Sequence, residues 1–326
     1  MTSVSNTVEK LILAAPRGYC AGVDRAVQTV ERALSIHGAP VYVRKEIVHN
    51  KHVVEELSER GAIFVDEHTE IPEGSVCVFS AHGVAPSVRE GAIERRLQTI
   101  DATCPLVTKV HREAVNFARD GYTIVLVGHA GHEEVEGTMG EAPDRIVLVQ
   151  DEADVETLEV EDPERIAYVT QTTLAVDETT AILDRLRERF PKIVGPRTDD
   201  ICYATTNRQA AVKQMASKCD LLLVIGSRNS SNSVRLVEVA RDCGTESHLI
   251  DNAREVQEHW LEGCRVVGIS SGASAPENLV GELVDLFRER GVSDISEFDV
   301  VKEDVRFMLP KPIREAVAAQ GSAGAS

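Results

Sequence analysis

The chain has no long hydrophobic run, no paired C-x2-C knuckle and no G-x-G-x-x-G loop, and each absence removes a class of function. A membrane span needs about 18 consecutive apolar residues, and LILAA near the start is far too short. MTSVSNTVEK carries neither the apolar core of a signal peptide nor Arg-rich transit character, so a cytoplasmic protein is the expectation. Basic residues are scarce: 35 stand against 53 acidic ones, a net charge of −18. Nucleic acid and anionic membrane would be repelled at long range, which argues against both as partners. A small anion held locally is compatible with that field, because hydrogen bonds and helix N-termini act over a few ångströms while salt screens the global field. With 326 residues, 43% hydrophobic and 27% charged, the composition suits a soluble globular protein of two or three domains. Seven cysteines, an odd number without an export signal, point to thiols or metal ligands and not to a disulfide framework.

What is present is a threefold repeat. Cys20, Cys104 and Cys202 are followed 29, 28 and 28 residues later by His49, His132 and Ser230, each at or near the end of an apolar, strand-like run. A third polar residue follows another such run, 62, 68 and 72 positions past its cysteine: His82, Thr172 and Ser274. Repetition at this scale fixes architecture before any motif is considered. Each unit reads as helix, strand, helix, strand, strand, helix, with a short extra helix where the linker allows; in the first unit PVYVRKEIVHN reads as the first strand and APSVREGAIERRLQ as the last helix. Strands alternating with helices of this length imply parallel sheets covered on both faces. The fold class is therefore α/β: three similar small α/β sandwich domains, with pseudo-threefold symmetry around a central metal site. Their expected bounds are 20–103, 104–199 and 200–300, with a strand from 10–19 joining the third. A C-terminal segment spans 301–312, and the small, polar residues 313–326 read as a disordered tail.

Three thiols at long spacing, each at a helix start, do not resemble a zinc ribbon. One per unit suits a cluster at a domain junction, and three ligands on a 4Fe-4S cube leave one iron open. A single cysteine of this kind is more often a buried structural thiol, the reading given to Cys77, Cys219, Cys243 and Cys264; the threefold register sets the other three apart. His49, His82 and His132 lie between strand and helix at the carboxyl ends of strands, where ligands of such sheets gather. Of the ten histidines, His37, His52, His68, His111, His248 and His259 read as ordinary, and His129 as support for its loop. Ser230, Ser231 and Asn232 in SRNSSNS, and Ser274 in SSGASAP, have the look of helix N-caps. Their matching repeat positions favour anion binding, and with the histidines they would surround a diphosphate. Glu134, two residues past His132, suits a proton donor, whereas Glu133 and Glu136 read as solvent-exposed acids of a helix N-terminus. Thr172 could relay that proton.

PRGYCAGVDRAV, EIVHN, SAHGV, DATCPLV, GHAGHEEVEGTMG, TQTTL, DDICYATTNRQ, GSRNSSNS and GASAP, in this order from about residue 11 to LPKP near 310, resemble the motif set of the 4-hydroxy-3-methylbut-2-enyl diphosphate reductase family. The resemblance implies one 4Fe-4S cluster per chain on Cys20, Cys104 and Cys202. It implies diphosphate binding by His49, His82, His132, Ser230, Ser231, Asn232 and Ser274, proton delivery by Glu134, and contact of Thr172 with the substrate hydroxyl. The implied reaction, the last step of non-mevalonate isoprenoid precursor synthesis, is a reductive dehydroxylation giving isopentenyl and dimethylallyl diphosphate. With no dinucleotide fingerprint, electrons would come from a ferredoxin or flavodoxin. Those donors are commonly acidic, so a local basic docking patch is expected. A non-redox hydro-lyase with a three-cysteine cluster is the competing enzyme class, and a metal-stapled diphosphate-binding module the non-enzymatic one.

Overall fold

The computed structural model describes residues 8–323, and side chains up to residue 320. Three sheets, all parallel, carry the three repeats. Before the first, β1 spans Lys10–Ala15. The first repeat runs α1 (Ala21–His37), β2 (Val41–Arg44), α2 (Lys51–Glu59), β3 (Ala62–Val65), β4 (Val76–Phe79), α3 (Pro86–Glu94) and β5 (Gln98–Asp101). The second runs α4 (Pro105–Arg119), β6 (Thr123–Val127), α5 (Glu133–Met139), β7 (Ile146–Val149), α6 (Glu152–Thr157), β8 (Ile166–Thr170) and α7 (Val176–Arg189). The third runs α8 (Tyr203–Ala216), β9 (Leu221–Ile225), α9 (Ser231–Asp242), β10 (Glu246–Ile250), β11 (Val266–Ser271), α10 (Glu277–Glu289) and β12 (Asp294–Asp299), and α11 (Lys311–Ala323) follows.

Strand order exposes the repeat directly. In the orders β3-β2-β4-β5, β7-β6-β8 and β10-β9-β11-β1-β12, the middle of each repeat is second strand, first strand, third strand. Helices on both faces leave the central strands wholly buried, as in LLLVI of β9 and VCVF of β4. Beside each third strand lies the segment that leads into the next cysteine. That segment is β5 ahead of Cys104, β1 ahead of Cys20, and in the second sheet a single bridge from Val194 to Ala167, ahead of Cys202. The expected strand before Cys20 thus joins the third sheet, pairing Leu11 with Val267 on one side and Ile295 on the other.

The chain divides into two compact units: the chain up to Cys20 with Tyr203–Val305, and Ala21–Cys202 with the residues from Arg306 on. The third sheet forms the first unit, and the other two sheets form the second.

Three local expectations fail. The strand expected through PVYVRKEIVHN stops at Arg44, where Lys45 turns into a positive φ of 59°. The helix expected through APSVREGAIERRLQ ends at Glu94, and its last residue, Gln98, opens β5 (QTID), because pairing with β4 and the buried Ile100 outweigh that segment's polar composition. The tail read as disordered from 313 is helical up to Ala323: Pro312 suits a helix start, the sequence is alanine-rich, and Ile313 is fully buried. Residues 324–326 of that expectation lie outside the described residues.

Candidate functional site

The three repeat cysteines occupy equivalent backbone positions. Each immediately precedes a helix of at least 14 residues, so its thiol sits at the positive end of a helix dipole, which favours the thiolate. Each backbone N–H is tied to the loop of the third polar position: Cys20 to the Ala273 carbonyl at 3.1 Å, Cys104 to Ala81 at 2.9 Å, Cys202 to Thr172 at 3.0 Å. All three are partly exposed, and none of the seven cysteines is in a disulfide. The other four lie in different surroundings. Burial pushes Cys77 and Cys219 up to about 12 and raises Cys264, whose thiol donates to the Trp260 carbonyl, while Cys243 is an exposed helix cap. Soft sulfur donors at helix starts, with their own N–H groups already satisfied, fit an iron-sulfur cluster.

Within the unit that holds the first two sheets, three histidines cluster. His49 stacks on His82 with ring centroids 4.0 Å apart, and His132 stands edge-on to both at 5.4 and 6.0 Å. Their partners assign the protons. His132 caps α5 by accepting the Glu134 N–H at Nδ1, so the neutral ring carries its proton on Nε2. His82 Nδ1 lies 3.1 Å from Glu133 Oε2 and His49 Nδ1 3.3 Å from Glu46 Oε2, so both rings donate from Nδ1 to a carboxylate. Glu133 is therefore no exposed helix-end acid: it also takes the Ser80 hydroxyl, and burial raises its pKa. Ligand atoms of His49, His82 and Glu133 lie within 4.8 Å of one another, a spacing a cation could also use.

Burial holds all three histidines below their ordinary pKa; for His82, where the neighbouring His132 adds to it, the value falls to about 4. Below the unfolded value of about 6.5 the unfolded chain takes up a proton that folded His82 refuses, so stability is full above that pH and is lost as pH falls through about 4. At roughly 1.4 kcal/mol per pKa unit, His82 alone removes about 2 kcal/mol by pH 5. Denaturant unfolding at pH 7 and pH 5 should show the loss in the wild type and a smaller one in His82→Asn. Parallel losses would exclude His82 as the source.

Glu134 and Thr172 form the tightest pair of the site. Both are buried, and the Glu134 carboxylate accepts the Thr172 N–H and hydroxyl, each at 2.9 Å. Because the Thr172 carbonyl in turn accepts the Cys202 N–H, the acid is two residues' hydrogen bonds away from a cysteine. His111, read as ordinary, backs this region: its Nδ1 lies 2.7 Å from Glu141, and a β-carbon at Gly83 or Gly137 would press on its ring at 3.1–3.2 Å. Gly83 also needs its φ of +84°, so the residue after His82 must be glycine. The His129 backbone N–H donates to Gln171 Oε1 at 3.0 Å.

In the other unit, Ser230 is the N-cap of α9 and accepts the Ser233 N–H and hydroxyl at 3.3 and 3.0 Å. Capping uses its lone pairs and leaves its O–H to donate elsewhere. Asn232 accepts the Ala273 N–H at 2.9 Å and donates to Thr205 at 3.3 Å, which fixes the loop carrying Ser274 against the helix that follows Cys202. Ser231 is half-buried and Ser274 buried. The expected residues thus gather as two groups, one in each unit: His49, His82, His132, Glu134 and Thr172 with Cys104 and Cys202, and Ser230, Asn232 and the Ser274 loop with Cys20.

A family model described as LytB protein matches residues 11–288. The chain belongs to the LytB family. It is 60% identical over 311 residues to a 4-hydroxy-3-methylbut-2-enyl diphosphate reductase of Nocardia farcinica, covering 95% of this chain and 93% of that one. To the enzyme of the same name from Rhodococcus opacus it is 60% identical over 309 residues, covering 94% and 92%. Among solved structures, the E-1-hydroxy-2-methyl-but-2-enyl-4-diphosphate reductase from Plasmodium falciparum matches with a TM-score of 0.94 at 36% identity, covering 96% of this chain and 99% of that one. Another, titled as the terminal enzyme of the non-mevalonate pathway, matches with a TM-score of 0.62 at 32% identity, covering 86% and 100%. This LytB-family chain is an oxidoreductase, and among its described residues no helix is long and apolar enough to cross a membrane.

Proposed function

We propose that the chain converts (E)-4-hydroxy-3-methylbut-2-enyl diphosphate, two electrons and two protons into water and isopentenyl or dimethylallyl diphosphate, in the cytoplasm, with Cys20, Cys104 and Cys202 holding one 4Fe-4S cluster. The observation that carries this reading is the buried Glu134, doubly bonded by Thr172, whose carbonyl holds the Cys202 N–H, beside three neutral histidines. When bound, the cluster supplies single electrons and a Lewis-acidic iron with an open position. Nε2–H of His132 offers the diphosphate a neutral donor. His49 and His82, already donating from Nδ1, bind an anion at Nε2 by taking up a proton, which a nearby anion favours. Ser230, Ser231, Asn232 and Ser274 add uncharged donors. Thr172 orients the substrate hydroxyl, and Glu134 carries the proton that lets it leave as water; a C–H bond then forms at one end of the allylic unit.

An acidic ferredoxin or flavodoxin needs a positive landing place on a chain of net −18. A groove of about 700 Å³ in the third-sheet unit is lined by Arg228, Arg241, Arg254 and Trp260, and Arg228 belongs to the loop that ends at Ser230. Of its carboxylates, Glu238 is engaged by Arg235 and Glu255 by the Asp251 N–H. Arg254→Glu should raise the KM for such a donor several-fold at low salt and leave turnover with a small reduced dye unchanged. An unaltered KM would place docking elsewhere.

The competing hydro-lyase needs no electrons. Anaerobic incubation of the cluster-loaded protein with the substrate should therefore give product only when a reductant is present; conversion without one would overturn the reductase reading.

A further inference from the structure

The helix that starts at each cysteine carries a cation five or six residues further on, and that cation grips the backbone leading into the next cysteine. Arg25 on α1 donates to the carbonyls of Asp101 at 3.5 Å, Ala102 at 2.9 Å and Thr103 at 3.0 Å, the three residues before Cys104. Lys109 on α4 donates to the carbonyls of Thr198 at 2.6 Å and Asp199 at 3.1 Å and to Asp200 Oδ1 at 2.7 Å, just before Cys202. Arg208 on α8 donates to the Gly18 carbonyl at 2.7 Å, two residues before Cys20. The relation is cyclic: Cys20's helix serves Cys104, Cys104's serves Cys202, and Cys202's serves Cys20. Each cation has a second anchor, Arg25 on the Met308 carbonyl, Lys109 on Glu113, and Arg208 on Glu303.

We infer that Arg25, Lys109 and Arg208 are positioning residues that preset the three cluster-bearing cysteines before any iron is bound. Carbonyl oxygens facing a thiolate site would repel the developing negative charge, and a cation that collects them turns these dipoles away from that role while fixing the chain. A charged hydrogen bond contributes more than a neutral one, and several converge on each cation. Arg208 shows how much is invested, since it is fully buried and its charge is met by Glu303 and carbonyls. The inference rests on the proposed function only in naming the cysteines as cluster ligands.

A merely local structural role would loosen the mutated helix itself; the inferred role moves the effect to the next cysteine. Amide hydrogen exchange on the cluster-free full chain reads this out, because each cysteine N–H is hydrogen-bonded and so reports on its own segment. Arg25→Gln should speed exchange at 101–104 by about tenfold or more and leave 198–202 and 16–20 unchanged, and Lys109→Gln should do the same at 198–202 alone. Arg25→Lys and Lys109→Arg should restore most of the protection. After reconstitution, each Gln variant should lose iron to a chelator faster than the wild type. Arg208→Gln is expected to act at 16–20, and if loss of the buried cation that pairs with Glu303 makes that variant unfold, the other two decide the matter. Exchange that rises only within the mutated helix, or not at all, overturns the inference. A wild-type chain that takes up no cluster would defeat the proposed function instead, while the exchange pattern would still judge the positioning.

Discussion

Serine in place of Cys20, Cys104 or Cys202 is expected to abolish substrate-dependent turnover and to strip or degrade the cluster, while Cys243→Ser leaves both intact. A hydroxyl is a hard donor that stays protonated at neutral pH, so it replaces neither the charge nor the softness of a thiolate on iron. The three sites should respond alike because they are built alike: a cysteine just before a long helix, its N–H held by the loop of the third polar position. Cys243 is exposed at the end of α9 and has no such setting. Iron and sulfide per chain, with the visible spectrum of the anaerobic protein, check the outcome. A Cys104→Ser protein with full iron content and full activity would remove it from the ligand set.

Glu134→Gln should lower turnover by roughly 10²–10⁴-fold, the usual worth of a positioned proton donor, with little change in cluster content or substrate affinity. The amide is nearly isosteric and the local bonds can survive: Oε1 accepts the Thr172 N–H, and Nε2 donates to the Thr172 hydroxyl, which reverses its role. What the amide cannot do is give up a proton to the departing oxygen. Single-turnover kinetics separate the two effects, since binding should persist while the chemical step slows. Full activity in this variant would take Glu134 out of the mechanism, and loss of substrate binding would make it a binding residue.

Much of this was readable from the chain because a threefold pattern repeats its own evidence. Cys20, Cys104 and Cys202 stand out by register, and β1 joins the third sheet as its position suggested. The partners that tune the site were not readable. Glu133 resembles any acid at a helix start, and only the fold places it against His82. His111 meets Gly83 and Glu141 through tertiary packing. Arg25, Lys109 and Arg208 act on segments about 77, 90 and 190 residues away, beyond the reach of local pattern. β5 and β12, QTID and DISEFD, lack an apolar run and exist because β4 and β1 offer edges to pair with. The tail helix α11 likewise depends on burying Ile313.

The most direct test of the central claim is the electron count. The anaerobically reconstituted protein, given a measured amount of reduced one-electron dye and limiting 4-hydroxy-3-methylbut-2-enyl diphosphate, should oxidise two dye molecules per substrate and release both isopentenyl and dimethylallyl diphosphate. No substrate-dependent oxidation by protein carrying an intact cluster, or a different product, would contradict it.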